Sequence, residues 1–231
     1  GAMRSNVFRQ GLRAASVGMT APSRHLSIGV PAGFEEVKDE DGRSRQVCKS
    51  CGFKNYKNPK VVVGSVPTYR DSQGNESILL VRRSIWPRQG YWTIPAGYME
   101  LGETAEAGAA REAREEANAE VQIGSLLAVY TVPRISIVQL FYRSTLPTPE
   151  FSCGTESQEV RLFKKAEIPW GELAFPTVNW ALYNRIFTDE KTPGQVYANP
   201  ATPGGNTDVW YNPVSGEISS KPNWRDGELN A

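Results

Sequence analysis

At 231 residues, with 39% apolar side chains and a formal charge of +1 at pH 7, the chain has room for one domain of roughly 150 residues plus appendages. No apolar run approaches the ~18 residues of a membrane span, and the near-neutral charge argues against nucleic-acid binding through a broad basic surface. The single histidine, His25, stands in an N-terminal stretch ill suited to holding a triad, so Ser-His-Asp and Cys-His chemistries are set aside and any catalysis falls to carboxylates and metal.

From Met3 to Gly33 the chain carries Arg4, Arg9, Arg13 and Arg24 and no acidic residue; the first is Glu35. Val7, Phe8 and Leu12 can form a short apolar face beside those arginines, and there is no continuous apolar core of the secretory kind. Residues 1–34 therefore read as a transit peptide for a mitochondrion or plastid, or equally as an ordinary disordered tail, in which case the expected location is cytoplasmic. Residues 35–59 hold Cys48-Lys-Ser-Cys51. Three cysteines, counting Cys153, make no disulfide framework, which fits a reducing compartment. Cys48 and Cys51 have the spacing of half a tetrahedral zinc site, but a matching first pair is absent and only His25 lies near its place. A metal-free turn is the expectation, ahead of structural Zn²⁺.

A domain is expected over residues 60–189. Residues 61–63 (VVV) open a strand, residues 71–75 turn, and residues 77–82 (SILLVR) form a second strand. Residues 91–94 are extended and lead into Pro95-Ala96-Gly97. An Ala-rich helix then runs toward Arg111, Glu112, Ala113, Arg114, Glu115 and Glu116. Glu112, Glu115 and Glu116 share one face, while Ala110, Ala113 and Ala117 fall on a different face small enough to pack closely on a sheet. A carboxylate cluster on a rigid helix suits a hard, oxygen-loving cation, Mg²⁺ or Mn²⁺. Beyond it, residues 126–132 and 135–143 read as paired strands, residues 159–163 as another, and residues 176–187 as a helix with Val178, Ala181, Leu182 and Ile186 on one side. Mixed strands with one early and one late helix give an α/β/α sandwich with a mixed sheet. Residues 190–231 are a Pro/Gly-rich tail with a small hairpin over residues 209–218, expected to pack on the domain or on a dimer mate through Trp210 and Trp224.

The pattern G-x5-E-x7-R-E-x-x-E-E, carried by Gly97, Glu103, Arg111, Glu112, Glu115 and Glu116, resembles the Nudix box of nucleoside-diphosphate-X hydrolases. One departure stands out. The family usually has Gly two residues after the last glutamate, and here that place is Asn118, the commonest non-Gly occupant of a left-handed helix end. The resemblance implies that Glu112, Glu115 and Glu116 hold Mg²⁺ or Mn²⁺, that a backbone carbonyl near Ala96 or Gly97 completes the coordination, that Glu103 supports it, and that Arg111 orients Glu103 or Glu115. The general base is left open between a box glutamate and a later loop carboxylate, Glu156 or Glu159. For a small-molecule dinucleotide substrate, Trp92 and Tyr98 are the candidates to stack on a base or isoalloxazine ring, and Arg82, Arg83 or Arg88 to meet phosphate.

Together with YKNPKVVVGS (residues 56–65), the loop GTESQEV and EIPWGELAF (residues 167–175), the chain resembles over about residues 47–187 the zinc-ribbon-linked Nudix subgroup that includes plant plastid FAD pyrophosphatase. The likeness fails where a first cysteine pair would stand and over the C-terminal tail. It implies cleavage of FAD to FMN and AMP, with ADP-ribose or NAD(H) next. Two alternatives are a nucleotide sensor that binds without cleaving, against which the intact box glutamates count, and a nucleotide-sanitising or decapping hydrolase, whose RNA version the missing basic patch disfavours. A homodimer is compatible with the sequence.

Overall fold

The structure, a computed structural model, describes residues 33–189 and 191–220. The leader through residue 32, His25 included, and Trp224 lie outside the described residues. The chain divides into two units, one up to residue 57 and one from residue 58 onward.

In the first unit, β1 (Phe34–Lys38), β2 (Ser44–Cys48) and β3 (Lys54–Asn55) form an antiparallel meander. Cys48 ends β2, and the turn that follows is closed by Gly52 N–H donating to the Cys48 carbonyl at 2.9 Å and Cys48 N–H donating to the Phe53 carbonyl at 2.8 Å. Both thiols of the pair are free, and hydrogen bonds from the Ser50 hydroxyl and nearby N–H groups hold the Cys48 thiol down at about 7. Among the described residues no further His, Cys, Asp or Glu joins them in a metal-binding group.

The second unit is built on one mixed sheet. Its strands are β4 (Lys60–Arg70), β5 (Glu76–Arg83), β6 (Trp92–Thr93), β7 (Ala96–Tyr98), β8 (Gln122–Val132), β9 (Ile137–Thr145) and β10 (Ser157–Lys164). The order is β10-β5-β4-β9-β8, with β6 beside β5 and β7 beside β4; β4 and β9 run parallel and the other pairs antiparallel. The period-2 alternation of a strand buried on both faces explains the hydrophobic runs in β4 and β5. Val66, Ile78 and Leu80 point into one core with Phe141 and Tyr130; Val63 joins Ala109 and Tyr142 on the opposite face, where Leu79 and Val81 pack with Ala117 and Leu146.

Two helices cover those faces. The first, α1 (Ala105–Ala117), starts at Thr104, whose hydroxyl accepts from Ala107 N–H at 3.2 Å. It ends at Asn118, which takes the left-handed conformation (φ 46°, ψ 33°) that the sequence leads one to expect of an asparagine in a glycine's place. The packing stripe of α1 differs from the expected one. Ala109, Ala113 and Ala117 are fully buried, Ala110 is only half-buried, and Glu112 and Glu116 sit on the packed side. Residues 112 and 116 lie one position from 113 and 117, about 100° around the helix, so they flank the alanine stripe where it meets the sheet. The second helix, α2 (Pro176–Tyr183), buries Val178, Trp180, Ala181 and Leu182 in the larger core.

One further boundary shifts. The strand expected from residue 135 begins at Ile137, because Pro133 opens a tight turn and Ser136 is left-handed (φ 52°). Residues 191–220 contribute to the core of this unit. Tyr197, Val209 and Trp210 are buried in the α2-side cluster, Trp180 Nε1–H donates to the Val209 carbonyl at 2.7 Å, and Asn179 both accepts from Tyr211 N–H and donates to its carbonyl. A short hairpin of β11 (Trp210–Tyr211) and β12 (Ile218–Ser219) closes the segment. No helix among the described residues is long and apolar enough to cross a membrane.

Candidate active site

Where β7 crosses β4, at the pairing of Val63 with Gly97 and Gly64 with Ala96, α1 lays its glutamates against the sheet. Gly97 leaves room for that approach: a Cβ there would overlap the Glu112 carboxylate as it lies and make it shift. Ala96 N–H donates to Glu116 Oε2 at 3.2 Å. Glu112 and Glu116 are each only 7% exposed, whereas Glu115 points outward.

Electrostatics divide these carboxylates into two sets. Arg111 lies among Glu103, Glu112 and Glu115, donating to them at 2.8, 2.8 and 2.9 Å, and to the Tyr98 carbonyl at 3.0 Å. Glu103 is thereby fully engaged. Its two oxygens take the guanidinium fork and Glu100 N–H, and these donors, Arg111 foremost, hold its carboxyl down at about 2. Glu116 is the opposite case. Among the described residues its hydrogen bond comes from Ala96 N–H alone, and burial, followed by the charges of Glu112 and Glu156, pushes its carboxyl up to about 8. Burial likewise raises Glu112, against the pull of Arg111.

The later loop brings one candidate base in and leaves the other out. Glu156 acts electrostatically on both Glu112 and Glu116, and its carbonyl accepts from Ser84 N–H at 2.8 Å. Glu159 lies past the register shift in β10, opposite Arg82, and pairs with it at 3.3 Å. Of the arginines, Arg82 is spent on Glu159 and on the Gly90 carbonyl, and Arg88 lies over the Tyr91 ring with left-handed backbone (φ 61°). Arg83 is the arginine whose charge reaches Glu116; its Nε–H also donates to the Pro87 carbonyl at 2.8 Å.

The aromatic expectation is corrected at Trp92. It is 5% exposed, meets Phe163 edge-on at 4.8 Å between centroids and belongs to the main core, so it has no face for a substrate ring. Strand β6 is too short for its alternation to be read, and the bridge from Trp92 to Leu173 covers it from a segment 81 residues away in sequence. Tyr98 is half exposed beneath Lys60. The exposed ring that sequence reading passed over is Trp86, 85% exposed on the loop 84–91. That loop leaves β5 directly after Arg83 and is tied at its base by Gly90 N–H to the Arg83 carbonyl and by Ser84 to the Glu156 segment, which places the base of the loop beside Glu156. Its place in a loop of Pro, Arg and Gln between two strands was the available signal.

The donor chemistry fits a hard divalent cation. All the groups are carboxylates, two of them buried side by side, and Glu116 has no cationic side chain bonded to it among the described residues. Among the described residues, no three ligands stand ready grouped as a cation site, for Arg111 occupies the space among Glu103, Glu112 and Glu115.

A family model described as the NUDIX domain matches residues 59–184. A crystal structure of a NUDIX hydrolase from Nitrosomonas europaea is 39% identical, with a TM-score of 0.66, covering 71% of this chain and 92% of that one. An ADP-ribose pyrophosphatase from Methanocaldococcus jannaschii is 28% identical over 139 residues, which is 57% of this chain and 78% of that protein. A putative 8-oxo-dGTP diphosphatase from Bacillus subtilis is 30% identical over 96 residues, 41% of this chain and 62% of that protein.

Proposed function

The chain belongs to the NUDIX family, and from that premise we propose that it hydrolyses the pyrophosphate bond of an adenosine-diphosphate conjugate, FAD to FMN and AMP first and ADP-ribose next. The observation that carries the reaction type is the pair of buried, adjacent carboxyl groups, Glu112 and Glu116, set against the Ala96–Gly97 turn with Glu156 facing them. ADP-ribose is supported by the M. jannaschii relative; FAD by the resemblance over residues 47–187 and by an exposed tryptophan, Trp86, on the loop whose base is tied to the Glu156 segment.

Family members generally use Mg²⁺ or Mn²⁺. Glu112, Glu115 and Glu116 would hold such a cation, which would supply charge neutralisation of the pyrophosphate and a lowered pKa for the attacking water. This chain's own residues do the rest. Glu156, on a loop tied to both β5 and α1, accepts the proton of the attacking water. Arg83 meets phosphate at the edge of the site, and Arg111, braced by Glu103, keeps Glu112 and Glu115 in place. Arg111→Lys, which keeps the charge but loses the planar fork, is expected to lower kcat by about 10–100-fold and raise the Mg²⁺ concentration needed for half-maximal rate; steady-state rates across a Mg²⁺ series check this.

Trp86 stacks on the substrate ring. Trp86→Ala is expected to raise KM for FAD by about tenfold with kcat and melting temperature unchanged, since stacking on an aromatic side chain contributes ~1–3 kcal/mol per base; an unchanged KM would remove Trp86 from the substrate site. The reading as a whole is tested by incubating the protein with Mg²⁺ and FAD, ADP-ribose, NADH, 8-oxo-dGTP or capped RNA and separating the products. FMN plus AMP as the main products supports the flavin assignment. AMP plus ribose 5-phosphate as the main products moves it to ADP-ribose, and tight binding without turnover would replace hydrolysis by sensing.

A further inference from the structure

We infer that Asn118 is a positioning residue that ties the end of α1 to the loop 152–156 and so fixes Glu156 opposite Glu112 and Glu116; the inference rests on the proposed role of Glu156 as base. Where the family usually has glycine, this chain has a side chain with two N–H donors. Asn118 Nδ2 donates to Ser152 Oγ at 3.0 Å and to the Cys153 carbonyl at 3.0 Å, bonds a glycine cannot make. Its left-handed backbone ends the helix, and its own N–H closes it on the Ala113 and Arg114 carbonyls.

The loop is pressed onto the helix from the other side as well. Ser152 N–H donates to the Ala117 carbonyl at 2.8 Å and Gly154 N–H to the Glu116 carbonyl at 3.0 Å, so the loop completes hydrogen bonds that the last turn of α1 leaves open. The approach is close enough that a Cβ at residue 154 would overlap the Glu115 carbonyl. Two residues beyond this contact the chain reaches Glu156, whose carbonyl is in turn held by Ser84 N–H. The base is thus suspended between β5 and the C-terminal end of the helix that carries its partner glutamates, and Asn118 is the side chain at that joint.

The test is a double-mutant cycle with a structural readout. Asn118→Gly keeps the left-handed turn without strain and deletes only the amide. It is expected to lower kcat on FAD or ADP-ribose about tenfold with KM and melting temperature near wild type, and to have no further effect in a Glu156→Gln background. Asn118→Asp, which can at best accept from the Ser152 hydroxyl and repels the Cys153 carbonyl, is expected to lose most of the activity that Asn118→Gly loses, and Asn118→Gln to fail to rescue it. An equal loss in both backgrounds, or no loss at all, overturns the inference. Amide hydrogen exchange separates it from the functional reading. If the wild-type protein hydrolyses none of these substrates, faster exchange at Ser152 and Gly154 in Asn118→Gly still supports the joint, and unchanged exchange there overturns it.

Discussion

Glu116→Gln is expected to reduce pyrophosphate hydrolysis on the order of 10³-fold while leaving the fold intact. Glu116 sits 7% exposed between α1 and β7, where Ala96 N–H reaches one of its oxygens. Glutamine has the same shape and keeps an amide oxygen for that N–H, so packing changes little. What is lost is one of the negative charges that would hold a divalent cation and, through it, the transition-state charge, an effect of several kcal/mol at about 1.4 kcal/mol per tenfold in rate. In metal-free buffer the same substitution is expected to leave the melting temperature equal or higher, because it removes a carboxylate whose ionisation burial and the neighbouring Glu112 oppose. Turnover near wild type in Mg²⁺, with a normal melting temperature, would remove Glu116 from the site.

The second large effect is on stability against pH. The Glu116 carboxyl is pushed up to about 8 from an ordinary 4.5, and Glu112 shifts in the same direction. An acid whose folded pKa lies above its unfolded one binds more protons folded than unfolded. Its contribution is therefore most favourable at low pH and is lost as pH rises from about 4.5 to about 8. Glu103, held at about 2, works in the other direction, but its stabilisation is complete above pH 5 and is lost only below that. Between pH 5.5 and 8 the glutamate pair on α1 dominates. The metal-free protein is expected to lose stability over that interval, on the order of a few kcal/mol. Saturating Mg²⁺ is expected to flatten or reverse the trend and to release protons on binding near pH 7. Thermal melts across pH in chelator and in Mg²⁺ read this directly; identical slopes in both, or a metal-free protein that grows more stable toward pH 8, would contradict it.

What could be read in the sequence was what depends on residues near one another along the chain. The spacing from Gly97 to Glu116 fixed both the turn and the helix, and Asn118 announced a left-handed end, because those are matters of local backbone and helical period. The fold family followed from the same stretch. What was hidden depends on distant segments. Trp92 looked available because nothing near it in the chain says that Phe163 and Leu173 will close over it. The buried stripe of α1 was misplaced because Gly108, not an apolar residue, begins it, and which face meets β4 is decided by the sheet. The tail was expected to pack through its tryptophans, but Pro and Gly marked the rest of it as loop and hid Tyr197 and Val209, which are buried in the same cluster as Trp210 and Trp180. The separation of Glu156 from Glu159 hung on one register shift in β10, invisible in a run of polar residues.

The central claim is that the α1 carboxylates hold a divalent cation for pyrophosphate cleavage, and one paired measurement addresses it most directly. Mn²⁺ binding, counted by electron paramagnetic resonance, and hydrolysis of FAD and ADP-ribose in Mn²⁺ are followed on the same samples of wild type and of Glu112→Gln/Glu116→Gln. The account predicts at least one bound Mn²⁺ per wild-type chain together with turnover, and loss of both in the double variant with its melting temperature preserved. A folded double variant that still binds Mn²⁺ at wild-type stoichiometry and turns over at the wild-type rate would contradict it.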